Sequence, residues 1–97
     1  MSRRLSRQSI RLLEALVDAA PQWQYGLELA RTTGLKSGTL YPILVRMAER
    51  GLLESCWLEP ERPGRPPRHA YRITAAGHSA LTEASRPPLL VLKGATS

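Results

Sequence analysis

Apolar residues recur at helical spacing in three stretches of this chain and then collect in two short apolar and aromatic runs. Ile10, Leu13, Val17 and Ala20 share one face of a helix, and Leu5, Leu12 and Leu16 form a second stripe beside it. This predicts a first helix over about Ser6–Ala20, with Ser6 as its N-cap and Pro21 ending it. Two stripes are wider than one contact with a small core requires. Either the helix is buried on two sides, or the second stripe meets another subunit. A second, shorter helix is expected over Gly26–Thr33, closed by Gly34, with Leu27, Leu29 and Ala30 inward. Trp23 and Tyr25 just before it read as lids on the core.

The third helix is expected to start at Ser37 as N-cap, run to residue 50 and stop at Gly51. Leu40, Ile43, Leu44 and Met47 make its buried face. Gly38, Pro42, Val45, Arg46 and Glu49 make the opposite face, with Thr39 and Tyr41 on its flanks. Pro42 is placed near the first turn, where a missing amide proton costs little. Two strands follow, Leu53–Leu58 and His69–Thr74. The stretch between them holds four of the eight prolines of the chain, so it is a stiff loop rather than a helix or strand interior. Thr74 is expected to cap a last helix, Ala75–Ala84, which Pro87 and Pro88 prevent from continuing. The order is mainly α with a small β-hairpin: three helices, a hairpin and a fourth helix, a winged helix-turn-helix. Residues 1–84 form that domain and 85–97 a tail, flexible or partner-docking, with an apolar patch at Leu89–Leu92.

Charge narrows the function. The 97 residues suit one domain with a modest core, and they carry a formal net charge of +6. Twelve of the fourteen basic residues are arginine, whose planar fork suits phosphate and guanine edges. They cluster: Arg3, Arg4, Arg7 and Arg11 precede or open the first helix, and Arg62, Arg65, Arg68 and Arg72 lie in and after the proline-rich loop. A helix start bearing Lys36, Ser37, Gly38 and Thr39 suits a phosphate or a base edge, because its free amides and dipole are positive and Gly38 allows close approach. The candidate DNA-contacting residues are therefore Lys36, Ser37, Gly38, Thr39, Tyr41, Pro42 and Arg46 on the third helix. Arg62, Arg65 and Arg68 join them on the wing, and Arg3, Arg4 and Arg7 on an N-terminal arm. Leu5, Leu12 and Leu16 are the candidates for self-contact.

Other classes recede. No apolar run approaches the roughly 20 residues of a membrane span, and no signal-peptide pattern opens the chain. Cys56 is the single cysteine and has no internal partner, which fits a reducing cytoplasm. His69 and His78 have a spacing unlike a zinc finger, and no nucleophile–base pair or paired carboxylates appear. Neither an enzyme nor a cofactor is expected. A winged helix that holds a protein partner is a second possibility, but it calls for a third helix more apolar than Pro42, Arg46 and Glu49 make this one.

Several segments together resemble the PadR family of winged-helix transcriptional regulators. They are Tyr25-Gly26-Leu27-Glu28-Leu29-Ala30, Gly38-Thr39-Leu40-Tyr41-Pro42, Leu44-Val45-Arg46-Met47-Ala48-Glu49-Arg50-Gly51-Leu52, and Arg68-His69-Ala70-Tyr71-Arg72-Ile73-Thr74-Ala75-Ala76-Gly77. The likeness runs over about Leu13–Leu81, and the pairing of Gly-Thr-Leu-Tyr-Pro with the Tyr-Arg-Ile-Thr end of the wing is specific. The resemblance implies a homodimeric binder of double-stranded DNA, with the helix from Ser37 in the major groove and the loop Pro60–Arg68 beside it. It implies a repressor located in the cytoplasm with the nucleoid. Members of that family usually add C-terminal helices that build the dimer and frame an effector pocket. Here only a tail follows Ala84, so a short form is expected, without effector sensing. Its homodimer would be weak and strengthened on DNA. A small mobile-element DNA architect, excisionase-like, is the alternative of similar size.

Overall fold

The computed structural model describes residues 5–60 and 62–85. Ser6 starts the first helix by the expected route: its hydroxyl accepts the Ser9 amide at 3.0 Å, and α1 runs from Arg7 to Ala19. A two-residue strand β1, Gln24–Tyr25, leads into α2, Gly26–Thr33. The Glu28 carboxylate accepts the Tyr25 amide at 2.8 Å at the start of α2, and Gly34 closes it at φ 77°, the left-handed cap expected there. Arg11 reaches from α1 to donate to the Thr33 carbonyl at 3.2 Å, a cation at the negative end of α2. That arginine belongs to the fold's own bracing.

The recognition-type helix α3 spans Ser37–Glu49. Lys36, rather than Ser37, is its N-cap, and no side chain caps it; Ser37 is the first helical residue. Pro42 sits six residues past that cap, inside the helix instead of near its first turn, so the Gly38 carbonyl loses its i+4 donor. Gly51, at φ 76°, turns the chain into β2, Leu53–Leu58. β3, Arg68–Ile73, begins and ends one residue earlier than expected, and α4 covers Ala75–Ser85.

The sheet has three strands in the order β1-β3-β2, both pairings antiparallel. Leu53 faces Ile73 and Leu58 faces Arg68 across the hairpin, while Tyr25 pairs with Ala70. β1 was not legible in sequence, since two residues carry no periodicity. Thr74 ties the hairpin base to the helices: its hydroxyl donates to the Gly51 carbonyl at 2.6 Å and accepts the Gly77 amide at 3.0 Å, capping α4. Gly77 is glycine for a steric reason, since a Cβ would run into the Leu52 carbonyl.

The core joins Leu12, Leu13 and Leu16 of α1 to Leu29, Leu40, Leu44, Met47, Leu53 and Ile73. Two expectations change here. Leu12 and Leu16 are fully buried within this one chain, so the second stripe of α1 is core, and only half-buried Leu5 of that set keeps any surface. A small domain with a sheet on one side and α2, α3 and α4 around it encloses its first helix broadly. Leu27, expected inward, is exposed at the start of α2, while Leu29 carries the inward contact.

Candidate nucleic-acid interface

The exposed side of α3 begins at its N-terminus. Lys36, Ser37 and Gly38 are exposed and Thr39 is half-buried; the Ser37 and Gly38 amides have no acceptor within the helix, whereas the Thr39 amide donates to the Lys36 carbonyl at 2.9 Å. Nothing lies within 4 Å of where a Gly38 Cβ would stand. Pro42, Val45 and Glu49 continue this surface as the centre of the exposed face. Tyr41 flanks it; its ring covers Gly26 of α2, where a Cβ would collide with the phenol, and it remains 41% exposed. Gly26 is thus the gap that lets α2 and α3 lock through Tyr41.

Arg46 stands on the other flank, off the centre of the exposed face. With Arg50 it borders a cleft of about 100 Å³ closed by Leu5, Ser6 and Ser9 of the α1 start. Arg50 was missed as a candidate. Its signal is the i+4 step from Arg46, which places both guanidinium groups on one side of α3.

The wing loop turns at Gly64, φ 89°, and its Arg62, Arg65 and Arg68 join Pro60 and Pro66 around an open groove of about 440 Å³. Arg68 is the first residue of β3, and its guanidinium lies 3.6 Å from the Tyr25 ring centre. Arg72 lies 4.2 Å from the Trp23 ring centre and pairs with Glu54 at 3.1 Å. Trp23 and Tyr25 are therefore half-buried supports for sheet arginines as much as lids. Arg72 spends its charge within the protein, whereas Arg62 and Arg65 are exposed. Arg7 is exposed in the first turn of α1; Arg3, Arg4 and Leu89–Leu92 lie outside the described residues. Among the described residues no helix is long and apolar enough to cross a membrane, and no group of three or more His, Cys, Asp or Glu converges as a metal site.

A helix that turns free amides and a bare glycine outwards, beside an arginine-bearing hairpin on a small helical core, defines a winged-helix DNA-binding protein. The profile of the Transcriptional regulator PadR-like family matches residues 12–83, and the chain belongs to that family of DNA-binding transcription regulators. Among solved structures, a PadR family transcription regulator from Clostridium difficile is 26% identical, with a TM-score of 0.67 over 80% of this chain and 82% of that one. A PadR-like transcription factor from Bacteroides fragilis is 27% identical, with a TM-score of 0.63 over 79% of this chain and 78% of that one. The PcaV transcriptional regulator from Streptomyces coelicolor, solved with its natural ligand, shares the fold alone. It is 23% identical with a TM-score of 0.67, over 84% of this chain and 53% of PcaV. No curated protein sequence matches the chain.

Proposed function

We propose that this regulator represses transcription by occupying duplex DNA as a homodimer, with the N-terminal half of α3 in the major groove and the wing on the adjoining backbone or minor groove. The observation that supports this is the exposed α3 start at Lys36–Gly38, together with arginines that line a cleft at the C-terminal half of the same helix and the groove of the wing. Arg46 and Arg50 then serve as backbone contacts at the edge of the major groove. Base reading falls to Ser37, Gly38, Pro42 and Val45 at the centre of the helix face, where small and apolar groups suit thymine methyls and backbone-amide contacts. The described residues, which end with α4 at Ser85, form the DNA-binding unit in this reading.

The test is a mobility-shift titration on duplex DNA at several salt concentrations. With roughly four to six phosphates neutralised per bound unit, log affinity falls against log salt with a slope of about −4 to −5. Arg46→Ala and Arg65→Ala each flatten the slope by about one and weaken preferred and random duplexes by the same factor. Absence of binding at low salt, or a slope near zero, defeats the reading. A loss for Arg46→Ala confined to the preferred site assigns Arg46 to base recognition instead.

A further inference from the structure

Three aromatic residues on the hairpin form a column that none of the arginine contacts explains. Trp57 of β2 and His69 of β3 are register partners, their rings stacked at 4.5 Å and nearly parallel, 11° apart. His69 and Tyr71, two residues apart, share one sheet face. Their ring centres are 4.7 Å apart, and the Tyr71 hydroxyl is 3.1 Å from His69 Nδ1. Further along this face Leu53, Tyr71 and Ile73 enter the core, and the Tyr71 phenol neighbours that of Tyr41 on α3, so the inner end of the column lies beside the recognition helix. The column runs outward from the core: Tyr71 is 4% exposed, His69 half-buried and Trp57 67% exposed.

The protonation pattern follows from burial. A phenol this deeply buried must donate its proton, because an unmet O–H in the interior costs more than a hydrogen bond returns. Burial and the neighbouring Tyr41 phenol both hold the Tyr71 hydroxyl in its protonated form, raising it above the ordinary tyrosine range. Its partner is His69 Nδ1 at 3.1 Å, and a phenol that donates there makes Nδ1 the acceptor. In a ring that accepts at Nδ1 the proton sits on Nε2, which is then a donor. Among the described residues Nε2 makes no hydrogen bond.

We infer that His69 Nε2–H is a DNA phosphate contact between the recognition helix and the wing, with Tyr71 and Trp57 as its positioning residues. The inference rests on the DNA-binding reading above. The column runs from Tyr71, beside Tyr41 of α3, to Trp57 and His69, next to Arg68 at the base of the wing, so a DNA strand that spans helix and wing would meet its outward half. Trp57 fixes the plane of the His69 ring by stacking on it, and Tyr71 selects the tautomer with its donor on Nε2. Phosphate contacts of this sort set register on the duplex without reading sequence.

Full-length protein is compared as wild type, His69→Phe and His69→Gln on a preferred and a random duplex. His69→Phe keeps the stack on Trp57 but has no donor; it loses roughly tenfold to a hundredfold in affinity, the range of a hydrogen bond to a charged group, by the same factor on both duplexes. His69→Gln, which retains an amide donor, recovers part of that loss. The salt slope stays near the wild-type value, since an uncharged donor displaces no cation, whereas Arg65→Ala flattens it. Wild-type affinity for His69→Phe, or a loss on one duplex alone, overturns the assignment while leaving DNA binding intact. Failure of the wild type to bind either duplex defeats the DNA reading itself and the contact with it. A long-range proton–nitrogen NMR correlation on the unmodified protein gives a readout independent of folding in the variants. Nδ1 bare and Nε2 protonated is expected, and the opposite tautomer overturns the inference.

Discussion

At Gly38 neither backbone conformation nor packing inside the chain calls for glycine: it lies in a helix, and a Cβ there meets no atom within 4 Å. Gly26 and Gly77 are different, since each is pressed by a neighbour, Tyr41 in one case and the Leu52 carbonyl in the other. A helical glycine with empty space around it forgoes helix propensity worth up to about 1 kcal/mol relative to alanine. What it offers is close approach by something outside the chain. Gly38→Ala is therefore expected to raise the thermal midpoint slightly while weakening the preferred duplex severalfold or more. Calorimetry and a binding titration on the same sample check both halves. A stabilised variant with unchanged affinity means that nothing approaches Gly38.

Among the elements, α1 departs most from a surface helix. Leu12, Leu13 and Leu16 are all buried, so its apolar arc is consumed by α2, α4, β3 and the rest of the core. Leu12→Glu then places an uncompensated carboxylate in the interior, at a cost above about 3 kcal/mol, a large share of the 5–15 kcal/mol typical of domain stability. The variant is expected to lose helical circular dichroism and cooperative melting. A folded Leu12→Glu protein with only its self-association altered contradicts the burial described here. The wing element is assembled otherwise: β3 is central and short, and its exposed Arg68 and half-buried Arg72 lean on Tyr25 and Trp23. Those two aromatics precede α2 in sequence, so the strap β1 is also the platform that aims Arg68.

For the whole molecule, with Leu12 and Leu16 enclosed, the one described residue of the expected set left with surface for self-association is half-buried Leu5; Leu89–Leu92 lie outside the described residues. An interface of that size is small, and a winged helix reading a palindrome requires two copies one helical turn apart or a multiple of it. Sedimentation is expected to show mainly monomer at micromolar concentration, and two copies together on a duplex with two half-sites so spaced. A stable dimer without DNA places the interface elsewhere than Leu5 and the tail. The sequence by itself determined the order of the four helices and the hairpin, the wing and the DNA-binding class, but not the strand β1. Helical periodicity, the Gly51 stop, the proline-rich loop and the family motifs are local signals, and they survive folding unchanged. Position on a helix wheel also identified the buried side of α3. Only the tertiary structure decided which side of α1 was surface, that Arg46 joins Arg50 at a cleft against α1, and that Arg11 and Arg72 are spent internally. Periodicity reports that a face is apolar but not how many neighbours cover it. A list of arginines gives charge, while the partner of each guanidinium is set by contacts between residues far apart in the chain, as Arg72 with Glu54 and Arg68 with Tyr25.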